Sequence, residues 1–338
     1  MHDRLVIYTE NAAGPSCGLD KEIIGGAGGK LVCANAHDEA ERVRIAQAAE
    51  VLVASMASLA DSFLCALPQL VGLVRTGIGV DTVDLRAATE LGIVVANVPD
   101  FCRDEVAEHT LGLIFAVTRK IARADRRVRQ GQWRGLVQRE ILPLYRLRGR
   151  TLGLIGMGKI GGTVAQKAQA LGMKVIASDP YLPPVEAKQL GVPLLCLEEL
   201  LPQADIVSLH VPLTPETRHL INGRTLALMK PQAFLINVAR GAIVDEAALE
   251  AALEEGRLAG VGLDVLEGEP PPASHLLFKF ENVVFTSHFA SCSVEAYADL
   301  RRQVSEQVAQ ILRGEFPSHL VNSEVRSMPQ CRLGRRGR

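Results

Sequence analysis

Three ionisable side chains in the second half of the chain can together handle a proton and a carboxylate. Arg240 lies in N-V-A-R-G, Glu269 in D-V-L-E-G-E-P and His288 in F-T-S-H-F-A. Histidine suits proton transfer near neutral pH, and a carboxylate beside it favours the imidazolium. An arginine fork holds a substrate carboxylate and carbonyl. With a nicotinamide to carry hydride, this set predicts the reversible reduction of a 2-oxo acid.

Each of these residues also has an ordinary structural interpretation. Arg240 fits a surface ion pair, and Glu269 fits a loop acid that precedes Pro270. His288 fits a satisfied core histidine, which is the commoner fate of a lone histidine. From the three residues alone, both interpretations stay open.

The stretch Thr151–Asp179 predicts where a dinucleotide would bind. An apolar run leads into G-M-G-K-I-G, where Gly156, Gly158 and Gly161 form G-x-G-x-x-G before a helical pattern. Such glycines allow a tight turn, backbone approach to a pyrophosphate and close packing of helix on strand. The helix N-terminus then faces the phosphates. Asp179 follows Gly161 by 18 residues and suits the ribose hydroxyls, which favours NAD over NADP. A glycine-rich turn without a ligand is the alternative, and this context disfavours it.

Alternating strands and helices position these residues. In the second half the predicted strands are Thr151–Ile155, Lys174–Ala177, Leu194–Leu197, Ile206–Val211, Ala233–Val238, Gly260–Val265 and Val283–Thr286. Arg240, Glu269 and His288 each follow one of the last three strands, where open α/β sheets bind ligands. Residues 1–99 show the same alternation and predict a smaller parallel α/β domain.

Three other segments have weaker or different patterns. The glycine-rich passage from Gly14 to Gly29 predicts a loop, and Asp104–Arg129 predicts one long helix linking two domains. Residues 292–313 predict an amphipathic helix. The basic, turn-rich end from Ser327 to Arg338 predicts disorder.

Composition limits the function classes. A chain of 338 residues suits two domains, and its net charge of −1 argues against general binding to nucleic acid or anionic lipid. No apolar run reaches membrane-spanning length, and the N-terminus does not resemble a signal peptide, so we expect a cytoplasmic protein. The seven scattered cysteines lack a C-x-x-C pair and predict free thiols. His288 and Cys292 lack further ligands nearby, so we expect no metal.

The order and spacing of many motifs resemble the NAD-dependent D-isomer-specific 2-hydroxyacid dehydrogenases. The matching pieces are R-T-G-I-G-V-D at 75–81, N-V-P-D at 97–100, E-V-A-E-H-T at 105–110, G-M-G-K-I-G at 156–161, H-V-P-L-T-P-E-T-R-H-L-I at 210–221, N-V-A-R-G-A-I-V-D-E-A-A-L at 237–249, G-L-D-V at 262–265, E-P at 269–270, and His288 with Ala290. The resemblance covers the chain from about residue 50 to residue 322.

The resemblance implies a fold and a set of site residues. It implies two Rossmann- or flavodoxin-like parallel-sheet α/β domains with a cleft between them: a discontinuous substrate-binding domain at 1–101 and 291–338, and an NAD-binding domain at 102–290. It implies Arg240 for substrate binding, Glu269 as the partner that keeps the imidazole protonated, and His288 as the acid and base. Cofactor contacts are implied for Thr110, Gly156, Gly158, Lys159, Ile160, Gly161, Asp179, His210, Val211, Pro212, Thr217, Val238, Ala239, Arg240, Asp264, His288 and Ala290. Substrate contacts are implied for Met56, Arg75, Gly77, Ile78, Gly79, Arg240 and His288. Members of this family are usually homodimers.

Departures from the family pattern concern the substrate. The loop Ser55–Ser58 lacks the arginine that phosphoglycerate enzymes use for phosphate, and no regulatory domain follows residue 322, so phosphoglycerate is disfavoured. Ser287 replaces the usual proline, and Ser291 replaces the tryptophan of the C-terminal-binding-protein corepressors. Arg75 and Arg103 are candidates for an additional anion contact or for structural ion pairs. The sequence therefore predicts a dehydrogenase, with an NAD(H)-sensing scaffold of residual activity as the alternative.

Overall fold

The computed structural model describes residues 4–10 and 18–334. The chain folds into two compact units. The first unit is Met1–Phe101 together with Ser293–Arg338, and the second is Cys102–Cys292. Each unit contains one parallel sheet and its own hydrophobic core.

The first unit contains a five-stranded parallel sheet in the order β2-β1-β3-β4-β5. Its strands are β1 (Arg4–Tyr8), β2 (Gly29–Cys33), β3 (Val51–Ala54), β4 (Gly72–Arg75) and β5 (Val94–Ala96). Its helices are α1 (Lys21–Gly26), α2 (Glu39–Ala46), α3 (Asp61–Cys65), α4 (Leu85–Glu90) and α12 (Val294–Leu312). Strands β3, β4 and β5 are buried along their whole length, as expected of a parallel sheet covered on both faces.

Helix α12 completes the first unit although it comes from the far end of the chain. The Ser293 hydroxyl caps it by accepting a hydrogen bond from the Ala296 amide at 2.8 Å. A Cβ on Gly72 would lie 2.8 Å from Ile311 Cδ1, so the glycine lets α12 approach strand β4 closely. The Asn322 side chain beyond α12 accepts a hydrogen bond from the Val95 amide at 2.8 Å. These contacts join the C-terminal segment to the N-terminal sheet.

The second unit contains a six-stranded parallel sheet in the order β11-β10-β9-β8-β6-β7. Its strands are β6 (Thr151–Ile155), β7 (Lys174–Ser178), β8 (Ile206–Leu209), β9 (Ala233–Asn237), β10 (Leu258–Leu263) and β11 (Val283–Phe285). Its helices are α5 (Arg103–Thr118), α6 (Ile121–Arg129), α7 (Lys159–Ala170), α8 (Pro184–Gln189), α9 (Leu197–Leu200), α10 (Gly223–Leu228) and α11 (Glu246–Glu254). Strand order reverses at β6, which pairs with β7 on one side and β8 on the other. Open α/β sheets bind ligands beside such a reversal.

The structure corrects the predicted loop between Gly14 and Gly29. Within its described part lie helix α1 and the start of strand β2. The Asp20 carboxylate caps α1 by accepting hydrogen bonds from two amides of its first turn, at 2.9 and 3.0 Å. A Cβ on Gly29 would lie 2.6 Å from Leu312 Cδ1. The glycine here serves close packing against α12 rather than a loop.

Two further element predictions were wrong. The helix predicted over Asp104–Arg129 is two helices, α5 and α6, separated at Lys120, which has a left-handed backbone (φ 54°). The strand predicted at Leu194–Leu197 is a single bridge between Leu194 and Ala177, and helix α9 begins at Leu197. Charged residues recur at helical spacing on both sides of Lys120. The sequence pattern therefore did not show where the first helix ends.

The basic end is ordered as far as the structure describes it, contrary to the prediction. Arg332 donates hydrogen bonds from its guanidinium to the carbonyls of Leu67 and Leu70, at 3.1 and 2.9 Å. Its amide donates to the Gly92 carbonyl at 2.8 Å. The arginine is therefore used for backbone capping within the first unit. Residues 335–338 lie outside the described residues.

The cysteines differ in environment, and one prediction about them was wrong. Cys33 is disulfide-bonded and is not a free thiol, while Cys17 lies outside the described residues. Among the free thiols Cys102 is buried, Cys331 is partly exposed, and Cys65, Cys196 and Cys292 are exposed. Within the described ranges, no three His, Cys, Asp or Glu side chains are grouped to hold a metal ion. No helix in the described part of the chain is long and apolar enough to span a bilayer.

Candidate active site

The glycine loop after β6 has the geometry of a phosphate-binding turn. Gly156 has a positive φ of 89°, and a Cβ there would lie 2.7 Å from the His210 carbonyl oxygen. A Cβ on Gly161 would clash with the Gly156 carbonyl, so this glycine allows α7 to pack closely on the turn. Among the described residues, no atom beyond its chain neighbours lies within 4 Å of a Cβ built on Gly158, which is the N-cap of α7 and has no side chain to cap that helix. These features fit a pyrophosphate at the helix N-terminus.

Asp179 lies directly after β7 and contacts the glycine loop. Its Oδ2 accepts a hydrogen bond from the Met157 amide at 2.9 Å, and its Oδ1 accepts one from the Tyr181 amide at 2.9 Å. These bonds fix the carboxylate beside the turn. Each oxygen keeps a further lone pair, so the carboxylate can also accept hydrogen bonds from ribose hydroxyls.

Neighbouring strands bring the three predicted catalytic residues to one edge of the sheet. Strand β10 lies between β9 and β11, and all three run parallel. Arg240 follows β9, Glu269 follows β10 and His288 follows β11. Because parallel strands end at the same edge, the three loops leave from one side of the second unit.

His288 and Glu269 form a direct hydrogen-bonded pair. His288 Nδ1 lies 2.6 Å from Glu269 Oε2, and Glu269 Oε1 accepts a hydrogen bond from the Leu266 amide at 2.9 Å. Burial raises the pKa of the Glu269 carboxyl, but the His288 hydrogen bond, the Leu266 amide and the Arg240 charge together hold it below its usual value. An ionised carboxylate only accepts hydrogen bonds, so His288 Nδ1 carries the proton.

Arg240 is held by the backbone of its own loop. Its Nη1 donates to the Ala239 carbonyl at 2.8 Å, and its carbonyl accepts a hydrogen bond from Asn237 Nδ2 at 2.8 Å. A Cβ on Gly241 would clash with the backbone of Leu266. Gly241 thus packs the Arg240 loop directly against the loop that carries Glu269.

Asp264 is buried and accepts hydrogen bonds from the His288 loop. Its carboxylate accepts from the amides of Phe289 (3.1 Å) and Ala290 (3.0 Å) and from the Thr286 hydroxyl (2.6 Å). Its carbonyl accepts from the His288 amide at 2.7 Å. The resemblance assigns Asp264 and Ala290 to the nicotinamide, and that role stays a prediction. The observed contacts give Asp264 a positioning role.

The loop after β8 brings further predicted cofactor residues beside the glycine turn. Val211 Cγ1 would lie 2.8 Å from a Cβ on Gly156. His210 Nε2 contacts the Ser208 hydroxyl at 2.9 Å, and burial lowers the pKa of His210 from 6.5 to about 4. The Thr217 hydroxyl donates to the Pro212 carbonyl at 2.6 Å and so closes this loop.

The other predicted cofactor residues have mixed surroundings. Val238 and Ala239 precede Arg240, and the Ala239 amide donates to Asn237 Oδ1 at 3.0 Å. Lys159 and Ile160 are the first residues of α7. Thr110 is fully buried in α5, and its hydroxyl donates to the Val106 carbonyl at 2.7 Å. The Thr110 hydroxyl therefore bonds within its own helix. The contact of Thr110 with the cofactor stays a prediction.

The predicted substrate residues of the first unit cluster around two loops. Arg75 is buried and donates to the carbonyls of Gly79 (3.2 Å) and Ala54 (3.3 Å), which braces the Gly77–Gly79 turn. Asn97 Nδ2 donates to the Ile78 carbonyl at 2.6 Å. Met56 is 54% exposed. These hydrogen bonds give Arg75 a role in holding the backbone, and its contact with a substrate stays a prediction.

Glu10 and His109 were not assigned a role from the sequence. The Glu10 carboxylate accepts hydrogen bonds from three successive amides, those of Ser55 (2.6 Å), Met56 (2.7 Å) and Ala57 (2.7 Å). His109 Nε2 contacts the Thr286 hydroxyl at 2.9 Å. Glu10 has no sequence signal, because its partners are backbone groups 45 and more residues away. His109 lies in the motif E-V-A-E-H-T, which matches the family, but the sequence pattern did not indicate a function for this residue.

Comparisons with known proteins identify relatives along most of the chain. Residues 111–290 match the family described as D-isomer specific 2-hydroxyacid dehydrogenase, NAD binding domain. A glyoxylate reductase of Korarchaeum cryptofilum is 42% identical over 260 residues, which cover 77% of this chain and 78% of the relative. A D-3-phosphoglycerate dehydrogenase of Methanocaldococcus jannaschii is 40% identical over 262 residues, 77% of this chain and 49% of the relative. The chain therefore spans about half the length of that second relative.

A solved structure shows the same fold. The D-lactate dehydrogenase of Aquifex aeolicus, complexed with NAD and lactic acid, superposes with a TM-score of 0.81 and 30% sequence identity. The alignment covers 92% of this chain and 96% of that chain. The likeness therefore extends over both units.

Proposed function

The chain belongs to the family of D-isomer-specific 2-hydroxyacid dehydrogenases, and from this membership we propose that it interconverts a D-2-hydroxy acid and the 2-oxo acid with NAD(H). The match confirms the resemblance found in the sequence, the fold of two parallel-sheet α/β units, and NAD as the cofactor. The relatives named above are reductases and dehydrogenases, so the alternative of an NAD(H)-sensing scaffold is not favoured.

The observation that carries this proposal is the 2.6 Å contact between His288 Nδ1 and Glu269 Oε2. It orients the imidazole, fixes its Nδ1 proton and leaves Nε2 for a substrate oxygen. The Glu269 carboxylate stabilises the imidazolium, which is the acid needed for reduction. In the reverse direction the neutral ring accepts the proton of the substrate hydroxyl at the same Nε2.

The remaining roles follow from charge and geometry. NADH, when bound, supplies the hydride that reduces C2 of the oxo acid. Arg240 binds the substrate carboxylate and carbonyl through its planar fork, in the loop next to Glu269. Its positive charge also stabilises negative charge that develops on the carbonyl oxygen before His288 protonates it.

We propose a substrate whose side chain carries no negative charge. The resemblance assigns the Ser55–Ser58 loop to the substrate side chain, and the Glu10 carboxylate is hydrogen-bonded to that loop. A phosphate or second carboxylate bound there would be repelled by Glu10. Glyoxylate is the first compound to test, because the Korarchaeum cryptofilum relative is named a glyoxylate reductase.

We further propose that Cys102–Cys292 is the NAD-binding domain and that the other unit binds substrate through its Gly77–Gly79 amides.

A homodimer is supported by a set of exposed apolar side chains in the second unit: Val128, Trp133, Val137, Leu142 and Tyr145. The cytoplasmic location and the lack of nucleic-acid or membrane partners stay predictions.

The test is NADH oxidation with a panel of 2-oxo acids. Glyoxylate, hydroxypyruvate, phenylpyruvate and a phosphono-oxo acid cover small, bulky and doubly charged side chains. We expect turnover with at least one uncharged side chain. His288→Gln should lower kcat by about 10²–10⁴-fold, because the general acid is lost, with little change in NADH affinity.

The matched control is His37→Gln, which removes an exposed histidine of the first unit. It should leave kcat unchanged. A His288→Gln variant with near wild-type turnover would remove His288 from the mechanism. Tight NADH binding without turnover of any acid in the panel would instead favour the scaffold alternative.

A further inference from the structure

His109 of helix α5 contacts the His288 loop at two points. Its Nε2 lies 2.9 Å from the Thr286 hydroxyl, which precedes His288 by two residues. Its ring meets the Phe289 ring edge-on, with centroids 5.0 Å apart and planes at 74°. The side chain is 18% exposed, so it lies mostly inside the second unit. A residue far away in sequence thus holds both flanks of His288.

The direction of each hydrogen bond in this network can be assigned. Asp264 Oδ1 accepts from the Thr286 hydroxyl at 2.6 Å and from the Phe289 amide at 3.1 Å, while Oδ2 accepts from the Ala290 amide at 3.0 Å. Three donors converge on this carboxyl group, whose oxygens accept all three hydrogen bonds. The single Thr286 proton therefore points to Asp264. The Thr286 oxygen then accepts, and His109 Nε2 must be the donor.

This network ends at the backbone of His288. The Asp264 carbonyl accepts a hydrogen bond from the His288 amide at 2.7 Å. His288 itself has a left-handed backbone (φ 55°), which is uncommon for a residue that carries a side chain. The hydrogen bonds around it, those to residues 286, 288, 289 and 290, hold the backbone in this conformation. They determine where the imidazole projects.

We propose that His109 is a positioning residue for His288, acting through Thr286 and Asp264. The inference rests on the proposed function, since it assigns His109 to the same acid–base step. His109 fixes the Thr286 hydroxyl as a donor to Asp264, and Asp264 holds the loop that carries His288. His109 does not touch the reacting atoms.

The test separates the hydrogen bond of His109 from its packing. His109→Phe keeps the ring against Phe289 but removes the donor, while His109→Gln places an amide N–H where Nε2 was. We expect His109→Phe to lower kcat about tenfold with KM for NADH unchanged, and His109→Gln to restore most of the loss. Deuterated NADH should give a larger isotope effect on kcat in His109→Phe, because chemistry then limits turnover.

Thr286→Val tests the relay itself. It should lower kcat about as much as His109→Phe, and the double variant should be no worse than Thr286→Val alone. A purely structural role would instead lower the fraction of molecules that bind NADH and leave the isotope effect unchanged. That result would overturn the inference. Equal damage in His109→Gln and His109→Phe would also overturn it.

The two proposals can fail separately. If His288→Gln loses activity while His109→Phe keeps turnover within twofold of wild type, the positioning role is wrong and the proposed function stands. If His288→Gln keeps activity, both proposals fail.

Discussion

Glu269 fixes the imidazole of His288 because its own position is fixed. One carboxylate oxygen accepts from the Leu266 amide and the other contacts His288 Nδ1. Burial works against the ionised form, yet these bonds and the Arg240 charge keep the pKa of Glu269 below its ordinary value of 4.5. The carboxylate therefore stays ionised throughout the pH range in which a histidine exchanges protons. This division of roles involves the side chains of Glu269, His288 and Arg240 and the backbone amide of Leu266.

Replacing Glu269 by Gln should weaken reduction more than it weakens cofactor binding. We expect kcat to fall by about 10²-fold, because the neutral amide no longer stabilises the imidazolium. The wild type should lose activity through protonation of Glu269 only below pH 4.5, since that pKa is lowered.

The matched control for that experiment is Glu267→Gln. Glu267 precedes Glu269 by two residues, and its carboxylate pairs with Arg218 and His219 instead of His288. Steady-state kinetics across pH should show little change in this control. A Glu269→Gln variant with the kcat of the wild type would contradict the assigned role.

His210 should make stability depend on pH in a defined window. Its pKa is about 4 in the folded protein and 6.5 in a free chain. As pH falls below 6.5 the unfolded chain gains a proton that the folded chain does not, so stability is lost until about pH 4. The full loss amounts to about 3 kcal/mol.

The measurement is urea unfolding without NAD between about pH 7.5 and pH 4 for the wild type and His210→Gln. The glutamine at position 210 does not titrate. The difference in free energy of unfolding between the wild type and His210→Gln should therefore change across this pH window. A difference that is independent of pH would show that His210 is not held neutral.

The order of strands β9, β10 and β11 is the feature at element scale that makes a site possible. Their carboxyl ends carry Arg240, Glu269 and His288 on adjacent loops. The loops are also packed together, since Gly241 lies against the Leu266 and Glu267 backbone. Movement of one loop therefore displaces the other.

Gly241→Ala should damage both stability and turnover. The added Cβ would clash with the Leu266 carbonyl group, and relief requires movement of the Glu269 loop. We expect the free energy of unfolding to fall by about 2 kcal/mol and kcat to fall with it. Gly223→Ala is the control, because among the described residues no atom beyond its chain neighbours and its own helix backbone lies within 4 Å of the added Cβ. Equal stability of the two variants would contradict this packing argument.

At the scale of the whole molecule, the exposed apolar side chains between Val128 and Tyr145 support the proposed dimer. Trp133 is 77% exposed, which is unusual for so large an apolar side chain. Trp133→Lys combined with Val137→Lys should shift sedimentation velocity profiles from dimer to monomer, since charges would be buried in the interface. Val185→Lys, at an exposed apolar position on α8, is the control. A monomeric wild type would reject the proposal.

Local patterns determined much of this protein in advance. Gly156, Gly158, Gly161 and Asp179 have short-range roles, because a turn, a helix N-terminus and a strand end lie within one βαβ unit. The strands that precede Arg240, Glu269 and His288 are apolar runs bounded by polar loops. These features are properties of consecutive residues, and a sequence displays consecutive residues directly.

Tertiary structure decided what depends on residues distant in the chain. The sequence predicts a loop at Gly29, whereas in the structure this glycine allows α12 to pack closely against it. The sequence also predicts that Arg332 belongs to a disordered tail, whereas in the structure its guanidinium donates hydrogen bonds to the carbonyls of Leu67 and Leu70. The same holds for His109, whose partners Thr286 and Asp264 lie far along the chain. Hydrogen bonds and close packing act over a few ångströms in space, so such roles exist only once the chain has folded.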